Sequence, residues 1–260
     1  MILDELAAHA RERVAAARAR VPLEEIRAQA EALPRGDFRF EKAIAGKGTA
    51  FIGEIKKASP SRGVIDPQFD YIGIAGQYEE AGADCISVLT EPKWFLGSDD
   101  IFRAVRLTVD APMLRKDFTV DAYQIYEARV LGADAVLLIC ALLDTGTLRE
   151  YLTICDRLGL SALVETHDEA EMQSAVAAGA RLIGVNNRNL RDFSVDLGNA
   201  ARLRAGAPEG TIFVAESGVS CPEDAAKLRQ AGADAILVGE YLMRSPDKQG
   251  ALQALREAAK

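Results

Sequence analysis

The sequence predicts an α/β fold: a closed (β/α)8 barrel with a helical extension at its N-terminus, residues 1–260 forming one domain. Two observations lead there. Four segments resemble one another: AGADCISVL (81–89), LGADAVLLI (131–139), AGARLIGVN (178–186) and AGADAILVG (231–239). Their glycines, Gly82, Gly132, Gly179 and Gly232, stand 50, 47 and 53 residues apart. Four more strand candidates alternate with them: TAFIGEI (49–55), APMLRKDF (111–118), LSALVETH (160–167) and GTIFVAES (210–217). A two-part unit repeated four times gives eight β–α units, which fits a closed barrel in a chain of this size.

Residues 1–45 stand outside this rhythm. LDELAAHARERVAAARA reads as a helix, and Pro22 followed by Leu-Glu-Glu opens another, because proline is tolerated in a first helical turn. LPRGDF then breaks the pattern. These helices either close the bottom of the barrel or lean over its top. From residue 49 onward, helical segments such as DYIGIAGQYEEAG, DAYQIYEARVLG, DEAEMQSAVAAG and CPEDAAKLRQAG separate the strands. Each ends in glycine, the residue that fits the left-handed position closing a helix. The apolar runs lack clean alternation, as expected of parallel strands covered on both faces. An open doubly wound sheet is the competing architecture. It usually has fewer strands, and no GxGxxG follows the first strand here.

With 39 acidic against 31 basic residues, the formal charge is −8. Such a surface does not favour nucleic acid or an anionic membrane as partner, although a local anion site needs only a few groups. No apolar run approaches the roughly 20 residues of a membrane helix. The N-terminus is studded with acids and arginines and lacks an apolar signal core, so a cytoplasmic location is expected. Cys85, Cys140, Cys155 and Cys221 form no CxxC pair and only two histidines are present, so neither a metal site nor a disulfide framework is expected. The cysteines read as small buried hydrophobes or inert thiols. A small phosphorylated molecule is the expected partner, and the sequence leaves the assembly open, with a monomer favoured.

In a barrel of this kind the chemistry sits at the C-terminal ends of the strands. Those ends are unusually polar here: Glu54, Lys56 and Ser59 on the first, Arg115, Lys116 and Asp117 on the third, Glu165 on the fifth, Asn186 and Arg188 on the sixth, Glu216 and Ser217 on the seventh. Strand periodicity is two, so Glu54 and Lys56 share a face. Facing the helix layer would bury both charges at considerable cost, so they are expected at the mouth. Lys57, one residue out of phase, is discounted. The rim can be an ion-pair ladder, or an acid–base set in which a lysine donates and a glutamate accepts protons. The lysine needs a depressed pKa, or a substrate that develops charge beside it; the glutamate needs a raised pKa. A Schiff base on Lys56 or Lys116, as in a sugar-phosphate aldolase, stays open, as does a barrel that only binds its ligand. AESG (215–218) and LVGEYLM (237–243) pair strand ends with glycine, which suits a phosphate.

These residues resemble indole-3-glycerol-phosphate synthases closely. The diagnostic stretch is EIKKASPSRG (54–63), supported by LTEPKWFLGS (89–98), LRKDF (114–118), ADAVLLI (133–139), LVETH (163–167), IGVNNRNL (183–190), AESGV (215–219) and VGEYLM (238–243). The resemblance runs from about residue 35 to the end. It implies a TIM barrel that converts 1-(2-carboxyphenylamino)-1-deoxyribulose 5-phosphate to indole-3-glycerol phosphate, CO₂ and water in tryptophan biosynthesis, without metal or organic cofactor. It also implies roles. Lys116 is the general acid at the ketone oxygen and Glu165 the general base. Lys56 contacts the substrate carboxylate, and Glu54 holds the lysines and a sugar hydroxyl. Asn186 and Arg188 orient hydroxyls and organise the strand-six loop, with Glu216 beside the substrate. Ser59, Ser217, Gly218, Gly239 and the backbone of Glu240 match the phosphate site. Phe95, Phe118 and Leu137, with Pro60, match the apolar wall around the aromatic ring, and Leu237 is a further substrate-binding position. Glu240 stands where many relatives have serine, and its carboxylate is expected to turn away from the phosphate. Trp94 is expected to pack rather than react, and His167 is expected to be peripheral.

Overall fold

The structure, a computed structural model, describes residues 2–46, 48–190 and 192–260. Eight parallel strands close into a barrel in which consecutive strands are neighbours and the last pairs with the first. They are β1 (Ala50–Ile55), β2 (Cys85–Leu89), β3 (Met113–Lys116), β4 (Ala135–Ile139), β5 (Ser161–Thr166), β6 (Leu182–Asn186), β7 (Ile212–Glu216) and β8 (Ala235–Val238). The closed order excludes the open sheet. β1 pairs with β8 (Ala50 opposite Ala235) and with β2 (Glu54 opposite Ser87).

The strands are buried nearly throughout, yet their side chains alternate between two cores. Phe51, Ile55, Met113, Val164 and Phe213 face the surrounding helices. Ala50, Ile52, Leu114, Leu137, Leu163, Val214 and Leu237 fill the barrel. The alternation invisible in the hydropathy is thus present in the packing, because both faces are apolar.

The repeat has a physical basis. Asp84, Asp134 and Asp234 stand just before β2, β4 and β8, and each carboxylate accepts the backbone N–H of the preceding strand: Phe51, Met113 and Phe213, at 2.8, 2.9 and 2.8 Å. The motif stitches strands two by two. In the third repeat Arg181 replaces the aspartate. Replacing Asp234 with alanine leaves the Phe213 amide without this partner, so a loss of about 1–3 kcal/mol is expected, read as a lowered urea midpoint at unchanged slope.

The helices that join β1 through β6 in turn start with side-chain caps that anchor the loops of the upper rim. Asp70, Ser98, Asp121, Asp144 and Asp168 accept backbone N–H groups at the starts of α4 (Tyr71–Glu80), α5 (Asp99–Arg106), α6 (Ala122–Val130), α7 (Thr145–Leu158) and α8 (Glu169–Ala178). Each such cap is worth about 1 kcal/mol. The ring continues with α9 (Gly198–Arg204), α10 (Pro222–Gln230), α11 (Glu240–Arg244) and α12 (Lys248–Ala258).

The N-terminal extension closes the bottom and also leans over the top. In α3 (Arg39–Ile44), Phe40 and Ile44 are fully buried against the interior residues at the lower barrel end, a plug worth about 1.5–3 kcal/mol per side chain. α1 (Ile2–Arg20) starts at the upper cavity, which Leu3 and Leu6 line. It is tied down by Arg13 to Asp117 (2.6 and 3.0 Å), His9 to Glu91 (3.1 Å) and Arg18 to Asp121 (2.7 Å). α2 (Leu23–Ala32) packs along α6, with Pro22 at its cap and not inside its first turn. No helix among the described residues is long and apolar enough to cross a membrane.

Candidate active site

The upper ends of the strands surround a cavity of about 820 Å³. Every site residue expected from the sequence lines it: Glu54, Lys56, Ser59 and Pro60 from β1 and its loop, Phe95 after β2, Lys116 and Phe118 at the end of β3, Leu137 in β4 and Glu165 in β5. Asn186 and Arg188 come from β6, Glu216, Ser217 and Gly218 from β7, and Leu237, Gly239 and Glu240 from β8 and beyond. Lys57 does not line it. β3 ends at Lys116, short of the expected residue 118, yet Phe118 still reaches the cavity.

Its floor is a charged layer. The odd strands contribute Glu54, Lys116, Glu165 and Glu216, one inward side chain each, as layered barrel packing dictates. Lys116 Nζ lies 3.1 Å from Glu165 Oε2 and 3.2 Å from Glu216 Oε2. Lys56 Nζ lies 2.6 Å from Glu54 Oε1. Glycines on even strands make the room. A Cβ on Gly184 would collide with the Glu216 carboxylate, and one on Gly239 with the Glu54 carboxylate and the Lys56 ammonium.

This layer separates the pKa values of its members. Burial opposes the charge on Lys116, but the carboxylates of Glu165, Glu216 and Glu54 outweigh it and hold the ammonium well above the ordinary lysine range. Lys116 therefore suits the second route open to a lysine acid, donation to a group that develops charge beside it. Burial also opposes the charge on Glu165, but Lys116 and His167 hold its carboxyl well below the usual range. That departs from the expectation of a raised pKa for the base. The raised carboxyl is Glu216, pushed up by burial and by Glu165 and Glu54 against the pull of Lys116. Glu216 Oε1 is buried without a hydrogen-bond partner.

The polar end of β3 divides its labour. Only Lys116 joins the charged layer. Arg115 faces the helices, the orientation expected to be costly, and the cost is offset by Asp99 at 2.8 Å and Glu127 at 2.7 Å. Asp117 turns to Arg13 of α1 and accepts from Thr90 Oγ1 at 2.6 Å.

The rim loops are organised by buried polar side chains. Glu91, fully buried, accepts the backbone N–H groups of Lys93, Trp94 and Phe95 at 3.0, 2.8 and 3.0 Å. Phe95 is thereby set against Phe118, with ring centroids 6.0 Å apart. The Trp94 ring packs outside the cavity, edge-on to His9 and under Lys93. Asn186 Nδ2 donates to Glu165 Oε1 at 3.2 Å, and its Oδ1 accepts from the Arg188 N–H at 3.0 Å. Asn187 Nδ2 donates to the Ser217 carbonyl at 3.2 Å, holding a turn in which Ser217 and Gly218 have φ of 65° and 96°. The Glu240 carboxylate is held by Arg62 at 3.2 Å and Arg244 at 3.1 Å, with Arg188 contributing to the same field. Three arginines against one carboxylate leave this end of the cavity positive.

Leu3, Leu6, Glu91, Gly184 and Arg244 are site residues the sequence did not reveal. Only Glu91 carried a signal, an acid directly after an apolar strand run. No disulfide and no metal-binding cluster of His, Cys, Asp or Glu occurs among the described residues.

Comparisons with known proteins show the family. A family model described as indole-3-glycerol phosphate synthase matches residues 3–255. The indole-3-glycerol phosphate synthase of Ruminiclostridium cellulolyticum is 54% identical over 260 residues, all of both chains. That of Leuconostoc mesenteroides subsp. mesenteroides is 48% identical, over 98% of this chain and 99% of its own. Among solved structures, a 3-hexulose-6-phosphate synthase superposes with a TM-score of 0.64 at 18% identity, over 81% of this chain and 99% of its own. That likeness shows the barrel fold alone.

Proposed function

Because the chain belongs to the indole-3-glycerol phosphate synthase family, we propose how its rim carries out the family's reaction. It is a carbon–carbon lyase. It closes the ring of 1-(2-carboxyphenylamino)-1-deoxyribulose 5-phosphate, releases CO₂ and water, and yields indole-3-glycerol phosphate.

The observation that carries the assignment of roles is the layer of Glu54, Lys116, Glu165 and Glu216 beneath an apolar wall. The carboxyl-bearing ring carbon attacks the ketone carbon, and the carbonyl electrons move to oxygen. Lys116, held as an ammonium, passes a proton to that oxygen as its charge grows. The exchange is favourable because an alkoxide is a far stronger base than an amine. The carboxylate then leaves as CO₂ and returns its electron pair to the ring. The new hydroxyl takes up a proton and leaves as water, and loss of a proton from the adjacent methylene gives the indole. Glu165 takes that methylene proton. Lys56, beside Glu54, grips the substrate carboxylate until it leaves.

Phe95, Phe118, Leu137, Leu237 and Pro60 form a dry wall that holds the aromatic ring against the ketone, where positioning supplies much of the rate. The phosphate lies at the turns of Ser217–Gly218 and Gly239–Glu240, with Ser59 opposite. Glu240 is neutralised by Arg62 and Arg244 and does not repel it. Asn186 and Arg188 orient the sugar hydroxyls. The cavity is lined by side chains of one chain, which favours a monomer, and the proposed location is the cytoplasm.

The test is direct. Purified protein mixed with 1-(2-carboxyphenylamino)-1-deoxyribulose 5-phosphate should release CO₂ and develop indole fluorescence in equal amounts. Borohydride added during turnover should trap no lysine adduct. A trapped adduct on Lys56 or Lys116, or binding without CO₂ release, would overturn these roles.

A further inference from the structure

Behind Glu165 lies a pair of side chains that the steps above leave unused. His167 follows Glu165 by two residues and stands at the head of α8. Its Nδ1 lies 2.9 Å from Glu171 Oε2, the oxygen that also accepts the His167 backbone N–H at 2.8 Å. On its other side, Nε2 lies 3.3 Å from Glu165 Oε1, off the line of a hydrogen bond. The arrangement is rigid. The Glu171 N–H donates to Asp168 Oδ1 at 2.9 Å, and the Asn199 amide donates to the His167 carbonyl at 3.2 Å.

The ring is surrounded by negative charge. Glu165 faces it from β5, and Glu171 and Asp168 belong to the start of α8. The Cys140 thiol, after β4, is pushed up to about 12 by burial and by Glu171, Glu165 and Asp168, and stays neutral. Asn186 and Asn199 bring no charge from β6 and α9. Lys116 of β3 lies beyond Glu165. Burial works against a charged ring, but the two carboxylates outweigh it and raise His167 to about 10.

Glu165 thus sits between two cations, and only one gives up its proton during the reaction. Lys116 and Glu165 are 3.1 Å apart, close enough for the proton of the acid to collapse onto the base. Once Lys116 has donated to substrate, it no longer holds the charge on Glu165. We propose that His167, held as an imidazolium by Glu171, is a positioning residue that keeps Glu165 ionised and fixes its Oε1, leaving Oε2 to receive the methylene proton. This rests on Glu165 being the base.

Removing the imidazolium raises the Glu165 pKa, so activity is lost at the acid end. In His167→Asn the acid limb of kcat against pH should move up by one unit or more, about a tenfold loss on that limb. Activity should recover toward the wild-type value at alkaline pH, with KM little changed. Glu171→Gln should move the limb the same way by less. In the wild-type protein, the ring nitrogen resonances of His167 should report an imidazolium from pH 6 to 8.5. A neutral ring at pH 7.5 overturns the proposal, as does a His167→Asn enzyme that keeps the wild-type profile or falls equally at all pH. A Glu165→Gln enzyme of near-normal activity refutes instead the assignment of the base.

Discussion

Replacing Lys116 by methionine is expected to lower kcat by about 10²–10⁴-fold, the usual worth of a positioned general acid. That corresponds to roughly 2.7–5.5 kcal/mol in the barrier. Methionine keeps the length of the side chain but can neither donate to the ketone oxygen nor balance the carboxylates around it. Glu165 and Glu216 both rest within 3.2 Å of the ammonium, so each should bind protons more readily once it is gone. The residual activity should therefore move to higher pH. Product should still bind, because the turns proposed to hold the phosphate line another part of the cavity. Single-turnover kinetics with product titration distinguish the cases. Near-normal turnover would remove Lys116 from the chemistry, whereas lost turnover with intact product binding supports its role.

Replacing Glu165 by glutamine is expected to cost a comparable factor, about 10²–10⁴-fold in kcat, at every pH tested, because an amide accepts no proton. The isosteric amide keeps its place beside Asn186. Removing the negative charge should lower the Glu216 pKa, since Glu165 is one of the groups that raises it. The sign of the stability effect also follows. Glu165 is depressed in the folded state, so its ionisation stabilises the fold above the unfolded value, about 4.3. That contribution is lost as pH falls toward the folded value. The variant should lack this acid-side loss, and urea midpoints between pH 3 and 6 would show it. Comparison with Glu216→Gln decides between the two carboxylates. If Glu216→Gln is the more damaging and Glu165→Gln retains activity, Glu216 is the base.

Much of this site was legible in the sequence because it is built on strands. A period of two is local, so Glu54 and Lys56 could be assigned to one face from five residues alone. A barrel then sends the ends of all strands to one rim, and that is enough to gather Lys116, Glu165, Asn186 and Glu216 with them. The sequence offered both uses of the N-terminal helices as alternatives, and which helix serves which was not legible. Leu3 and Leu6 are an ordinary apolar pair on an amphipathic helix, and nothing nearby in sequence says that the helix ends over a cavity. Arg13 meets Asp117, 104 residues away, a distance no local pattern encodes. The resemblance makes His167 peripheral, because many relatives lack it, and its contact with both Glu165 and Glu171 appears only in the folded ring.

The sequence by itself determined the barrel, the rim residues and the chemistry they resemble, because strand phase and short motifs are properties of neighbouring residues. The tertiary structure alone decided which proton each group holds. Glu165 is depressed and Glu216 raised although both are buried carboxylates on alternate strands. The difference comes from Lys116 and His167 on two sides of one and from Lys116 alone beside the other. Strand stagger brings these groups together from distant parts of the chain, and Coulomb energies at 3 Å depend on that arrangement and not on residue type.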